Sequence, residues 1–211
     1  MLVTGVQRIR GRRNLFRISF DDGTKLEVSD AAILRSSLAE GVELSEPGFS
    51  DLLASESRLR ANNLAYNYIS YRPRSRREVV THLVHKGCSQ DVAEAAAENL
   101  QSLQLLDDLR FARMLVRDLL SRRRSGVSYI RQKLLAKGVA RQTVDEVLAE
   151  LVSPEGQAQT ALQVASNRLR LQQRQFAHLD RMKRKQRLYQ YLLRRGFSSD
   201  IASRTVRELA L

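Results

Sequence analysis

The sequence predicts a mainly α protein: tandem three-helix repeats in an elongated, curved array, preceded by a small N-terminal β-hairpin module. Three observations predict it. One pattern is written three times, with apolar residues eight and four positions before a glycine and a basic residue just before it: Val79, Leu83 and Lys86-Gly87; Ile130, Leu134 and Lys137-Gly138; Leu188, Leu192 and Arg195-Gly196. The pattern continues past each glycine, with Ala96, Val147 and Thr205 nine residues on and Leu100, Leu151 and Leu209 thirteen on. Apolar residues four apart share a helix face. A basic residue suits the C-terminal end of a helix, and the glycine after it is the usual left-handed cap. Each copy therefore reads as helix, tight turn, helix, with room between copies for one more helix. The third observation is a contrast: the first 45 residues lack this period and alternate instead.

The alternation runs from Asn14 to Phe20, placing Phe16, Ile18 and Phe20 on one side; Asp22-Gly23 supplies a turn, and Thr24 to Val28 returns as a second strand. Leu2 to Ile9 is the candidate third strand. Ser29-Asp30 offers an N-cap for a short helix through Leu38, with Gly41 beyond it. The next helix opens at Ser45-Glu46-Pro47 and runs until Pro73 ends it. Arg74 to Lys86 and Asp91 to Leu103 complete the first repeat. Asp107 caps the second, Gly126 separates its first two helices, and Gln142 to Leu151 closes it. Ser153-Pro154, serine at the cap and proline after it, starts the third. Its first helix is expected to run on through the basic stretch near Arg181. The expected domains are residues 1–45 for the hairpin module, then 46–104, 105–152 and 153–211 for the repeats.

Composition narrows the function. The net charge is +13, distributed as −1 over residues 1–55, +5 over 56–159 and +9 over 160–211. An ordinary solvated helix face mixes its signs. A bias this strong points to a polyanion, and with no amphipathic anchor nucleic acid is preferred to membrane. Cys88 is the only cysteine, so no intrachain disulfide forms, and no secretory h-region opens the chain. A cytoplasmic protein is expected.

Basic clusters precede each copy: Arg72, Arg74, Arg76 and Arg77; Arg122, Arg123 and Arg124; Arg181, Lys183, Arg184, Lys185 and Arg187. Helix ends carry cations for their own reasons, and that explains any one cluster. Recurrence, and the excess of arginine with its forked donors, favours phosphate contact. The expected nucleic-acid contacts are Arg72, Arg74, Arg76, Arg123, Arg124, Lys133, Lys137, Lys183, Arg184 and Arg187. Few aromatics interleave them, so backbone contact outranks base stacking.

The helices after the first two glycines are acidic, with Asp91, Glu94 and Glu98, then Asp145, Glu146 and Glu150. Early acids suit a helix N-terminus, but Glu98 and Glu150 lie too far along. Carboxylates on a recognition helix repel phosphate, which disfavours sequence-specific reading of the helix-turn-helix type, the alternative function. Glu98, Glu150 and Asp118 are expected to touch protein instead. Asp107-Asp108 could hold a nuclease metal, but a cap plus a first-turn acid is the simpler reading. His82 and His85 lack partners for a zinc site and read as surface residues; Cys88 reads as a small buried hydrophobe. There is no phosphate-binding glycine loop or nucleophile elbow, so no enzyme, metal or cofactor is expected.

The run Ala65-Tyr66-Asn67-Tyr68-Ile69-Ser70-Tyr71-Arg72-Pro73-Arg74-Ser75, with Glu78 and Leu83 to Gly87, resembles the RecX family of recombination regulators. Leu106-Asp107-Asp108, Phe111-Ala112, Gly126, Ile130, Leu134 and Lys137-Gly138 are similar to the start and body of that family's second unit. The hairpin resembles the N-terminal extension of its longer members. Cys88, where the family usually has an aromatic, and the strongly basic third unit depart from it. The resemblance implies a non-enzymatic modulator of homologous recombination and DNA repair within the SOS response. Its implied partners are the RecA filament and single-stranded DNA, with strand exchange and ATP hydrolysis mostly restrained. A monomer is the expected state.

Overall fold

Alternation and a tight turn build the N-terminal sheet as the sequence implies. The computed structural model describes residues 1–11, 14–122 and 124–209. Strands β1 (Val3–Arg8), β2 (Leu15–Phe20) and β3 (Lys25–Ser29) form one antiparallel sheet in the order β1-β2-β3, with Phe16 opposite Val28 and Ile18 opposite Leu26. The Asp22 carboxylate accepts from both the Thr24 N–H and its hydroxyl at 2.8 Å, which pins the turn. Helix α1 (Asp30–Arg35) starts at Ser29 as expected but stops three residues before Leu38. Ser37 takes a left-handed φ of 45°, turning the chain so that Leu38 is buried beneath the sheet.

Helix α2 (Glu46–Ser70) begins at the Ser45 cap. Its first half belongs to the sheet's core: Leu52 is buried with Ile18, Phe20 and Val28, and Phe49 meets Phe20 edge-on at 5.2 Å. Its second half packs on α4 (Gln90–Ser102) through Ala61 and Ala65 against a helix carrying buried Ala93, Ala96 and Ala97. Between them in sequence lies α3 (Arg76–His85). His82 is not a bare surface residue: its ring stacks on Tyr68 at 3.8 Å. Cys88 is only half-buried, whereas Val139 and Phe197 at the same place in the other copies are buried.

The second repeat is α5 (Asp108–Ser121), α6 (Val127–Ala136) and α7 (Arg141–Leu151). The third is α8 (Pro154–Leu171), a five-residue α9 (Gln173–Ala177), α10 (Arg181–Arg194) and α11 (Ser199–Glu208). The expected long first helix of the third repeat is therefore broken twice. Asp180 caps a new helix by accepting from the Lys183 N–H at 2.8 Å, so the basic stretch opens α10 rather than ending α8. Lys183 also pairs with Asp180 at 3.1 Å, and those two contacts hold the Asp180 carboxyl below its ordinary range. The residues eight and four before each glycine are all fully buried (Val79, Leu83, Ile130, Leu134, Leu188, Leu192), and each glycine has φ between 81° and 86°. In every copy two backbone bonds close the same cap: Gly87 to Val84 and Cys88 to Leu83, Gly138 to Leu135 and Val139 to Leu134, Gly196 to Leu193 and Phe197 to Leu192.

The described residues group into two compact units, residues 1–72 with 80–102 and residues 73–79 with 103–211. Within the second unit, successive segments join by a repeated device. A helix N-terminus leaves N–H groups unpaired, and a helix C-terminus leaves carbonyls. Here the Arg195 and Gly196 carbonyls accept from Gly126 and Ser128 at the start of α6, at 2.9 and 3.0 Å, while buried Gln157 accepts from Val127. One turn earlier in the chain, the Lys137 carbonyl accepts from the Ser75 hydroxyl at 2.6 Å and Asp108 accepts from the Arg76 N–H at 2.8 Å. Ser75 and Glu78 also cap each other reciprocally. Small residues permit the approach: a Cβ at Gly126 would lie 2.1 Å from the Gly196 carbonyl carbon, and one at Gly138 would lie 2.4 Å from the Arg77 Cβ. Among the described residues no helix is long and apolar enough to cross a membrane.

Candidate nucleic-acid interface

The docking of the third repeat on the second brings arginines together from distant parts of the chain. Arg195 reaches back across the joint, its guanidinium donating to the Arg124 carbonyl at 3.3 Å. Arg124 itself holds a left-handed φ of 46°, turning the chain between α5 and α6. Beside this contact lies a cleft of about 400 Å³ lined by Arg122, Arg124, Arg168 and Arg195 together with Asn167 and Tyr191. It adjoins a second hollow of about 280 Å³ that shares Arg168 and Tyr191 and adds Arg187, Arg194 and Phe176. The Arg168 guanidinium stands 4.8 Å over the Tyr191 ring, which holds that flexible side chain at the boundary of the two hollows. Among the described residues no carboxylate lines either hollow. Arg122 has its own partner in Asp118 at 2.8 Å. The other five guanidiniums line the hollows with no carboxylate among the lining residues, and their planar forks match phosphate.

The expected contact residues divide under this geometry. Arg124 and Arg187 lie in the paired hollows. Arg74 and Arg76 are half-buried on the 73–79 segment of the same unit, and exposed Arg72 belongs to the other unit. Lys133 is exposed on α6 and leans over the Tyr129 ring at 5.2 Å. Lys137 is tied to the fold: its ammonium pairs at 2.6 Å with Glu78, whose side chain is only 12% exposed. Arg184 is likewise engaged, donating to the Leu179 and Ala177 carbonyls and clamping the turn between α9 and α10. Lys183 is paired with Asp180. Arg123 lies outside the described residues.

The residues expected to meet protein have partners within the chain in two cases. Glu150 pairs with Arg113 at 2.8 Å, fastening α7 to α5, and Asp118 pairs with Arg122 one turn along α5. Asp145 pairs with Arg131 between α6 and α7. Glu98 is exposed on α4.

Asp107 and Asp108 serve the fold. Asp107 accepts from the Leu109 and Arg110 N–H groups at 2.8 and 3.0 Å, and Asp108 accepts from Arg76. Burial raises the Asp108 pKa above the ordinary carboxylate range, with the Arg76 N–H opposing it. The unfolded chain therefore releases this proton at lower pH than the folded one, so the residue's contribution to stability declines as pH rises from the ordinary range through the raised value. Asp108→Asn keeps an acceptor for Arg76 without the charge. It is expected to match or exceed the parent's stability at neutral pH and to flatten this decline, as read from urea unfolding at acidic and neutral pH. A marked loss at neutral pH would show that the carboxylate itself is required.

Comparison with known proteins places the chain. Three family models match it in order, described as the first, second and third three-helix domains of RecX, over residues 61–100, 107–148 and 155–206. A curated relative from Levilactobacillus brevis, named regulatory protein RecX, is 31% identical over 205 residues, covering 97% of this chain and 74% of that protein. The chain belongs to the RecX family. A RecX regulatory protein from Lactobacillus johnsonii is 35% identical over 71% of the chain, a match that spans about half of that relative's own length (54%). A crystal structure of a regulatory protein RecX superposes with a TM-score of 0.71 at 26% identity, covering 95% of this chain and 96% of the other. RecX from Lactobacillus salivarius gives 0.65 at 25% identity over 74% of this chain and 98% of that one.

Arg122, Arg168, Arg194 and Arg195 are absent from the expected contacts, although Arg122 stands in one of the basic clusters. Arg187 and Arg194 are seven apart on α10, hence on one face, and that spacing was available. Arg195 looked like a basic residue serving its own helix end, and nothing in the sequence places Arg168 beside it.

Proposed function

We propose that this RecX protein is a non-enzymatic regulator of homologous recombination that binds the RecA filament on single-stranded DNA and restrains strand exchange and ATP hydrolysis. The observation that carries the nucleic-acid part is the pair of hollows that no carboxylate among the described residues lines, bounded by Arg124, Arg168, Arg187, Arg194 and Arg195, with Arg122 at the edge paired to Asp118. Family membership supports the recombinase part. Arginine forks hold the phosphate backbone without reading bases, while the bound protein obstructs entry of a further protomer or a duplex. Arg74, Arg76 and Lys133, on the same compact unit as the hollows, add further phosphate contacts, and Arg72 on the other unit contributes its own. Base-specific reading has less support, since the helices after the first two glycines present Asp91, Glu94 and Glu98, or Asp145 and Glu146, at their exposed faces.

The test is RecA-catalysed ATP hydrolysis on single-stranded DNA with and without the protein. A fall in steady-state hydrolysis at near-stoichiometric protein is expected, with little discrimination between DNA sequences. Unchanged hydrolysis at saturating protein would remove the recombinase reading.

A further inference from the structure

The two docked turns of the second unit show what a glycine turn of this kind receives: a helix N-terminus with serine or glycine at its cap, at Ser75 for the Lys137-Gly138 turn and at Gly126 for the Arg195-Gly196 turn. The third such turn, Lys86-Gly87, has the same cap geometry and φ of 86°, yet a Cβ built at Gly87 meets nothing within 4 Å. Its Lys86 carbonyl accepts instead from a side chain, the exposed guanidinium of Arg60 at 3.2 Å. Arg60 also borders a groove of about 790 Å³ between β2, β3 and α2. Leu15, Leu26, Leu53 and Leu64 line that groove, and Leu53 remains 38% exposed. Its charge comes from Glu27, Asp30 and Glu56 against Arg60, so it is acidic although the chain as a whole is strongly basic. Arg17 offsets Glu27, while Glu56 is held by accepting from the Ser29 N–H and hydroxyl, so the rim's negative charge rests on Asp30 and Glu56.

We propose that this groove and the Gly87 turn form a docking site for a helix of a partner protein, entering with its N-terminus toward the turn and a glycine or serine at its cap. The free N–H groups and positive dipole end of such a helix suit the Lys86 carbonyl and the acidic rim, and its apolar face suits the leucines. Phosphate is disfavoured as occupant by Asp30 and Glu56. The inference rests on the reading of this chain as a RecA-filament regulator, with the filament supplying the helix.

Two variants of the full chain test it. Gly87→Asn tolerates the left-handed backbone while adding a side chain where the docked turns admit none. Leu53→Lys places a cation among the leucines. Binding to RecA filaments and to single-stranded DNA alone is measured in parallel for parent and variants. The expected result is a loss of filament affinity of tenfold or more in both variants, with affinity for free single-stranded DNA within twofold of the parent and circular dichroism unchanged. Parental filament affinity in both variants would overturn the proposal. So would an equal loss on free DNA, which would assign the effect to damaged folding or to nucleic acid. Failure of the parent itself to bind filaments while still binding DNA would instead remove the recombinase reading, and this inference with it.

Discussion

Gly126→Ala is expected to destabilise the protein by about 3–5 kcal/mol, a large share of the roughly 5–15 kcal/mol that holds a typical domain together. The added methyl would lie 2.1–2.2 Å from the Gly196 carbonyl group and the Phe197 nitrogen, all backbone atoms of the opposing turn. Neither side can rotate out of the way, so the joint must open. Overpacking of this kind costs about 1–3 kcal/mol, and the bonds from Gly126 and Ser128 to the Arg195 and Gly196 carbonyls go with it at about 1 kcal/mol each. A graded comparison isolates the cause. Gly87→Ala places alanine at φ 86° with nothing near its Cβ, so only the left-handed backbone cost of about 1–2 kcal/mol applies. Gly196→Ala suffers that cost and also a 2.3 Å approach to the Tyr129 nitrogen. Urea unfolding should therefore rank Gly87→Ala well above the other two. Equal midpoints for Gly87→Ala and Gly126→Ala would show that the joint contributes nothing.

Local features of this fold were legible because their causes are local. The buried ladder Val79/Leu83, Ile130/Leu134 and Leu188/Leu192 follows from a four-residue spacing, and the caps follow from the glycines that end it. Asp22-Gly23, Ser29, Ser45, Asp107 and Ser153 each announced an element through the chemistry of one side chain. What stayed hidden depends on neighbours distant in sequence. The basic residue before each glycine was explained by its own helix, while its carbonyl in the second unit caps another helix, at Ser75 or Gly126. Lys137 and Arg184 carry the same charge as Arg187, and only their pairing with Glu78, or with the Leu179 and Ala177 carbonyls, separates structural cations from those lining the cleft. The breaks after Leu171 and Ala177 had no proline or glycine to mark them, and Asp180 alone signals the new helix.

Reversing charge inside the paired hollows should weaken binding to single-stranded DNA far more than reversing it on the nearby surface. Arg168→Glu with Arg194→Glu removes a guanidinium shared by both hollows and a second from one of them. A charge-assisted bond to phosphate is worth about 1.5–3 kcal/mol, so losing two predicts a fall in affinity of about 100-fold or more at low salt. The salt dependence should shrink as well, by about 0.7 in the slope of log affinity against log salt for each phosphate of the single strand that is no longer neutralised. Arg170 supplies the control. It is exposed on the same helix as Arg168, lines neither hollow, and changes the net charge equally when replaced by glutamate. Anisotropy titrations over a series of salt concentrations then separate two accounts of a basic protein. If only the overall field matters, Arg170→Glu and Arg168→Glu weaken binding alike and the cleft has no special standing. If the forks converge on phosphate, Arg170→Glu costs a few-fold, Arg168→Glu costs more than tenfold, and Arg168→Lys falls between because an ammonium keeps the charge without the fork.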